Sequence, residues 1–241
     1  IASSSASSSA PNHTSNHLGP IPRNGLESRA RDRPNPWSGY VNAMPGRNND
    51  GCLDIRSLFQ DDGMLCIDLF SYNLDDQWIR QAIPCLNYVP VWVSSAEEPS
   101  FLPSNWKYTR PEVPKWGTPH GKMFIFYFAE RVRVVISTAN AIPLDYLYRA
   151  NGIWTQDFPY GPEAAPTDFR LTLQDYMTRI GCPHKLDAYN FSEAKVALVT
   201  SVPGKHGGKE LNRYGHARVA ALVRPDKGAP LDGPLIINCS S

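Results

Sequence analysis

Nowhere in these 241 residues is there a run of roughly 18 or more apolar residues, so no segment reads as a membrane-spanning helix. The amino end, Ile1-Ala2-Ser3-Ser4, has neither a charged start nor an apolar centre, and does not read as a secretory leader. Cysteine is sparse and unpatterned: Cys52, Cys66, Cys85, Cys182 and Cys239 are odd in number, and no CxxC spacing occurs. Neither a zinc site nor a disulfide framework is expected, and the thiols are expected reduced, in a cytosolic or nuclear compartment. The Asn-x-Ser/Thr matches at Asn12, Asn190 and Asn238 are then chance. An excess of one charge is missing as well. With 24 Lys and Arg against 23 Asp and Glu the chain carries +1, which is no global polyanion-binding signature. Any nucleic-acid surface must be local.

Aliphatic residues are few in the amino-terminal stretch, which is rich in Ser, Pro, Asn, Gly and Arg. Residues 1–48 are therefore expected as a disordered arm, and 49–241 as the folded domain. Within the domain, Leu53 to Phe59 predicts a short helix and Met64 to Tyr72 a buried strand. Leu74 to Ile83 predicts a helix capped by Asn73 and closed by Pro84. Val89 to Val93 predicts a strand, and the Pro-rich segment from Glu97 to Pro119 a long surface loop. Thr167 to Ile180 has an amphipathic period with Thr167 as cap. Val196 to Thr200 predicts a strand, Tyr214 to Val223 a helix, and Leu235 onward the start of a strand. Strands alternating with helices imply a layered α/β domain.

The chemistry-bearing stretch is GTPHGKMFIFYFAERVRVVISTANAI. His120 and Lys122 are two residues apart and so share a face if the chain is extended. Met123 to Phe128 is wholly apolar or aromatic, as a buried strand is. Glu130-Arg131 suits a turn, and Val132 to Ile136 a second buried strand that ends in Ser137-Thr138-Ala139-Asn140. One imidazole, one ammonium and one carboxamide can thus converge at a sheet edge. That set suits phosphoryl chemistry: a nucleophile, a fixed positive charge and a neutral donor for phosphate oxygens. Upstream, Lys107, Arg110 and Lys115 interleave with Trp106, Tyr108 and Trp116, the pattern of a single-stranded nucleic-acid groove. Lys205, Lys209, Arg213 and Arg218 form a second basic stretch; an ordinary solvated surface is the commoner reading of either, and the interleaved aromatics make the first the more suggestive.

His120-x-Lys122 with the later Asn140 resembles the half-motif of the phospholipase D superfamily. The series around it narrows the match: Lys115-Trp116-Gly117, Asp145-Tyr146, Asn151-Gly152-Ile153-Trp154, Pro166-Thr167-Asp168-Phe169, Phe191-Ser192-Glu193, Ser201-Val202-Pro203-Gly204 and Tyr214-Gly215-His216. From about Gly51 to the last residue the chain resembles the amino-terminal half of eukaryotic tyrosyl-DNA phosphodiesterases. Most superfamily members carry an Asp five residues after the motif Lys; here that position is Tyr127, and the tyrosyl-DNA phosphodiesterases also lack the Asp.

The resemblance implies an α-β-α sandwich of the phospholipase D type, one half of a pseudo-two-fold enzyme. It implies hydrolysis of 3′-phosphotyrosyl DNA adducts, as in DNA repair, in the nucleus and without cofactor or metal. His120 matches the nucleophile that forms a phosphohistidine, and Lys122 and Asn140 match the groups that hold the non-bridging oxygens. Trp116 and Gly117 match a base-stacking turn, and Ser240 and Ser241 the start of a DNA-contacting turn. The implied partner is single-stranded or nicked DNA with a 3′-linked tyrosine or peptide. Two positions depart from the family. Asn151 stands where a Gln is common, so it is left out of the catalytic set, and Pro119 stands where a His is commoner. The family places a second H-x-K in a second half. His13, His17, His184, His206 and His216 all lack a Lys two residues on. The chain is therefore expected to be a fragment that supplies one half-site, completed by a second half of the same parent chain. Two alternatives stand beside this: a homodimer that pairs two single motifs, or a nucleic-acid-binding half-domain without turnover.

Overall fold

The structure, a computed structural model, describes residues 38–49, 52–59, 63–115, 117–194 and 196–223. Seven strands form one mixed sheet: β1 (Ser38–Val41), β2 (Met64–Ser71), β3 (Val91–Ser95), β4 (Trp106–Thr109), β5 (Met123–Phe128), β6 (Arg131–Ser137) and β7 (Gly152–Pro159). Their order across the sheet is β1-β7-β6-β5-β2-β3-β4. The β2–β3 and β3–β4 pairs are parallel and the rest antiparallel. The helices are α1 (Ile55–Phe59), α2 (Asp76–Ala82), α3 (Pro143–Leu147), α4 (Asp168–Arg179) and α5 (Gly215–Val223).

β5 sits at the centre, and all six of its residues are buried. Side chains alternate across a strand, so Phe124, Phe126 and Phe128 face a layer made with Ile55, Leu58 and Phe59 of α1, Ile79 of α2 and Tyr146 of α3. Met123, Ile125 and Tyr127 face the opposite layer, where α4 contributes Phe169, Leu173 and Met177. These two apolar layers make the α-β-α sandwich expected from the resemblance. The Thr167 hydroxyl accepts the Arg170 N–H at 3.3 Å and caps α4 as expected. Leu171, apolar within this helix, is nonetheless 54% exposed and faces solvent.

Several expectations are corrected. The arm drawn through residue 48 ends earlier, because Ser38–Val41 pairs with β7 and Asn42 is fully buried. The rest of the expected arm lies outside the described residues, as does the strand expected from Leu235. Helix α2 is capped by Asp75, whose carboxylate accepts from Trp78 N–H at 2.8 Å, and Asn73 serves elsewhere. The segment expected as loop holds β4, an edge strand in which Trp106 is core: it is 3% exposed and its indole donates to the Leu86 carbonyl at 2.8 Å. β7 went unread because its Thr-Gln-Asp interior looks like a loop. Asp157 lies directly opposite Arg133 and accepts from its guanidinium at 2.6 and 2.8 Å, which compensates the charge. Val196 to Thr200 does alternate inward and outward but joins no ladder. Its carbonyls instead take Arg218, at Leu198, and the Gly215 N–H, at Thr200.

Candidate active site

β5 and β6 are sheet neighbours, so the residues just before one and just after the other meet at a single edge. The Ser137 N–H donates to the Lys122 carbonyl at 3.1 Å and closes that juncture. Gly121 lies under α4, and a Cβ there would collide with the Tyr176 hydroxyl. Space, and not a turn, demands glycine at the centre of the H-G-K triplet.

Lys122 Nζ lies 3.1 Å from His120 Nδ1, 3.2 Å from Nε2 and 3.2 Å from the His120 carbonyl oxygen. The Nζ is nearly equidistant from both ring nitrogens, so the contact places a positive charge against the ring and disfavours a second one on the imidazole. Partial desolvation, and then the Lys122 charge, hold His120 below its ordinary value of 6.5. Burial also lowers Lys122 from its ordinary value, and the Asp145 carboxylate pulls it back up. The Tyr72 ring packs beside the imidazole, with centroids 4.9 Å apart.

Asn140 stands at the same edge, past the end of β6. Its Nδ2 and its backbone N–H both donate to Asp145 Oδ2 at 2.8 Å, and its Oδ1 accepts the Asn73 N–H at 3.3 Å. An acceptor on one side and a donor on the other leave one orientation for the carboxamide, with one Nδ2 hydrogen still available to a ligand. Asp145 is buried at the start of α3 and paired with Arg149 at 3.2 Å. Asn151 serves the scaffold: it accepts from the Thr138 hydroxyl at 2.8 Å and donates to the Asp145 carbonyl at 2.7 Å. Buried Asn42 accepts the Asn151 N–H at 2.6 Å and donates to the Tyr146 and Arg149 carbonyls. Strand β1 is thereby tied to the loop that carries Asn140.

The structure thus joins His120 to Lys122 directly and sets Asn140 beside them through Asn73 and Asp145. Gly117 closes an exposed turn, donating to the Pro114 carbonyl at 2.7 Å. Trp116, Ser240 and Ser241 lie outside the described residues. Of the aromatic-basic segment, Trp106 is buried and Tyr108 packs against the core, while Lys107 and Arg110 are exposed. In the second basic stretch, Arg213 pairs with Asp175 at 3.0 Å and Arg218 with Asp168 at 2.6 Å, so both cations are bound within the fold. The sequence reading missed Asp145, Asn73 and Tyr72. Asp145 left a signal, an acidic residue five positions after Asn140 in the first turn of a Pro-started helix; the other two come from a distant strand end. Among the described residues one group, Asp68, Cys182 and His184, could hold a metal ion, and it lies elsewhere on the sheet.

A mixed sheet sandwiched between helices, with an H-x-K at the start of its central strand and an Asn past the next, defines a phospholipase D-type domain. A family model described as tyrosyl-DNA phosphodiesterase matches residues 38–241, and the chain belongs to that family. It is 30% identical over 213 residues to tyrosyl-DNA phosphodiesterase 1 of Arabidopsis thaliana, covering 76% of this chain and 35% of the relative. It is 31% identical over 143 residues to the Drosophila melanogaster protein of that name, covering 52% and 24%. The chain therefore spans about a third or less of the length of these curated relatives. Among solved structures, yeast tyrosyl-DNA phosphodiesterase superposes with a TM-score of 0.53 at 12% identity, covering 64% of this chain and 42% of that one. A mutant of the yeast protein gives 0.63 at 12% identity, covering 78% and 49%. At such identity these structures speak to the fold alone.

Proposed function

We propose that this chain is the nucleophile-bearing half of a DNA-repair phosphodiesterase that hydrolyses 3′-phosphotyrosyl adducts. The observation that carries the reading is the Lys122 ammonium set against the His120 ring, whose protonation burial and that charge disfavour. A neutral imidazole attacks phosphorus; the N–P bond forms as the P–O bond to the tyrosine breaks. Lys122 and the remaining Nδ2 hydrogen of Asn140 take the non-bridging oxygens and stabilise the charge that gathers on them in the transition state. The leaving phenolate, of pKa about 10, needs less protonic help than an alkoxide. A second half supplies the acid for that step and the base that activates water against the phosphohistidine, which releases a 3′-phosphate and restores His120. The positive charge of Lys122 stands where other phosphodiesterases use a divalent cation, so turnover is expected to persist in excess EDTA.

The partner is DNA with a 3′-linked tyrosine or peptide, and the site of action is then the nucleus. Trp116 stacks on a base near the scissile end, next to the tight turn at Gly117, and Ser240 and Ser241 contact the strand. Trp116→Ala should weaken single-stranded DNA binding by roughly 1–3 kcal/mol with little sequence preference. Loss of melting temperature with unchanged affinity would assign Trp116 to packing instead.

The test of the proposal uses the full-length protein and a 3′-phosphotyrosyl oligonucleotide. His120→Ala should reduce cleavage by about 10³-fold or more while the melting temperature holds, because the residue is exposed at a strand edge. Near-parental cleavage by the variant would remove His120 from the reaction. A native mass of two copies would favour the homodimer reading.

A further inference from the structure

Asp68 is an acidic residue within the buried stretch of β2 from Cys66 to Ser71, and it is 0% exposed. A buried carboxylate is costly unless it is compensated. Here three groups converge on it. Tyr127 donates its hydroxyl to Oδ2 at 2.7 Å, Cys182 Sγ lies 3.3 Å from Oδ2, and His184 Nδ1 lies 2.5 Å from Oδ1. The ligand atoms of Asp68, Cys182 and His184 all lie within 4.8 Å of one another. Cys66 is two residues before Asp68 on β2 and faces the same layer as Cys182.

The convergence is built by the end of α4. Gly181 takes φ +82, and the Cys182 N–H reaches back to the Met177 carbonyl at 2.8 Å. This left-handed helix stop turns Cys182-Pro183-His184 down onto the sheet. A cavity of about 220 Å³ beside β2, β3 and β4, lined among others by Cys66, Trp92, Lys107 and His184, borders the group.

We propose that Asp68, Cys182 and His184, with Cys66 as fourth donor, bind one zinc ion that fastens the loop after α4 to the sheet, remote from His120. Two thiolates, an imidazole and a carboxylate form a tetrahedral zinc donor set. Donors about 2.0–2.3 Å from zinc lie about 3.3–3.8 Å apart; Cys182 Sγ and Asp68 Oδ2 already stand at 3.3 Å, the 2.5 Å His184–Asp68 pair must open to admit the ion, and Cys66, which lies outside this close group, must swing in from the same face of β2. The Tyr127 hydroxyl orients the carboxylate, as partners behind metal ligands do. Asp68 lies opposite Ile125, about 10 Å along β5 from Lys122 at about 3.4 Å per residue, and among the residues converging on it are none of His120, Lys122 and Asn140, so the site serves the fold and not the phosphoryl step.

The test uses the whole chain, stripped with a chelator and titrated with Zn²⁺ or Co²⁺. One zinc per chain should be retained through gel filtration. Cobalt should give thiolate-to-metal charge-transfer absorption that weakens in Cys66→Ser. Zinc should slow alkylation of Cys66 and Cys182 by about tenfold or more while Cys52 and Cys85 continue to react. Tyr127→Phe, which keeps the ring and its packing, should weaken zinc binding about 10–100-fold. Failure to retain zinc, or a cobalt spectrum without a thiolate band and unprotected Cys182, would overturn the proposal and leave a hydrogen-bonded cluster around Asp68.

Discussion

In the reaction proposed above, His120 attacks only as the free base, so the groups that hold its proton off would set the pH at which the site works. Its folded pKa is lowered, so nucleophilic competence is full above that value and is lost as pH falls through it. The acid limb of kcat/KM should therefore lie below 6.5. Lys122→Ala removes a cation that holds the value down, so in that variant the residual acid limb should move to higher pH. It also removes phosphate stabilisation, with a rate loss of about 10²–10³-fold. An unmoved acid limb would show that the ammonium does not act on the ring. Asp145 acts one step further back. Asp145→Ala leaves the Asn140 N–H and Nδ2 without their acceptor and removes the carboxylate that supports the Lys122 charge. Activity should fall, and the basic limb should shift to lower pH because Lys122 then loses its proton more readily. The triplet His120, Lys122 and Asn140 was legible because all three lie within one strand-turn-strand unit. Asp145 was visible only as a residue type, and Tyr72 and Asn73 not at all, because β2 meets β5 over a long separation.

Elements were legible where one principle acted alone. The six apolar residues of β5 can only be a buried strand, and the Thr167 cap and apolar period define α4. Phe126 contacts α1 edge to face, with ring centroids 4.5 Å apart from Phe59. Phe126→Ala should cost about 3–5 kcal/mol in urea unfolding, against about 1 kcal/mol for Thr167→Ala. Equal losses would mean that the β5 layer is not the core it is taken to be. β4 and β7 were illegible for a shared reason: each carries charge in a strand, and what makes that tolerable comes from another element. In β4 the exposed edge leaves Lys107 to solvent, and in β7 the Arg133 guanidinium answers Asp157. The strand expected at Val196 to Thr200 is the converse, an alternating pattern whose backbone is engaged elsewhere, the Leu198 carbonyl by Arg218 and the Thr200 carbonyl by the Gly215 N–H.

At the scale of the molecule, one H-x-K supplies one nucleophile, and hydrolysis of a phosphohistidine needs a second acid-base group. The near-neutral net charge would leave the proposed DNA recognition to local contacts, for which Gly117 and the exposed Lys107 and Arg110 are the candidates. Turnover should survive EDTA at a temperature where the protein stays folded; complete loss restored by Mg²⁺ would mean that the electrostatics of Lys122 have been misjudged. The most direct test of the central claim is covalent trapping. The full-length protein, mixed with a 3′-phosphotyrosyl oligonucleotide and quenched early in turnover, is digested and read by mass spectrometry. The account predicts a DNA fragment joined through phosphorus to the peptide that holds His120, absent from His120→Ala. An adduct on any other residue, or tyrosine release by His120→Ala at the parental rate, would contradict it.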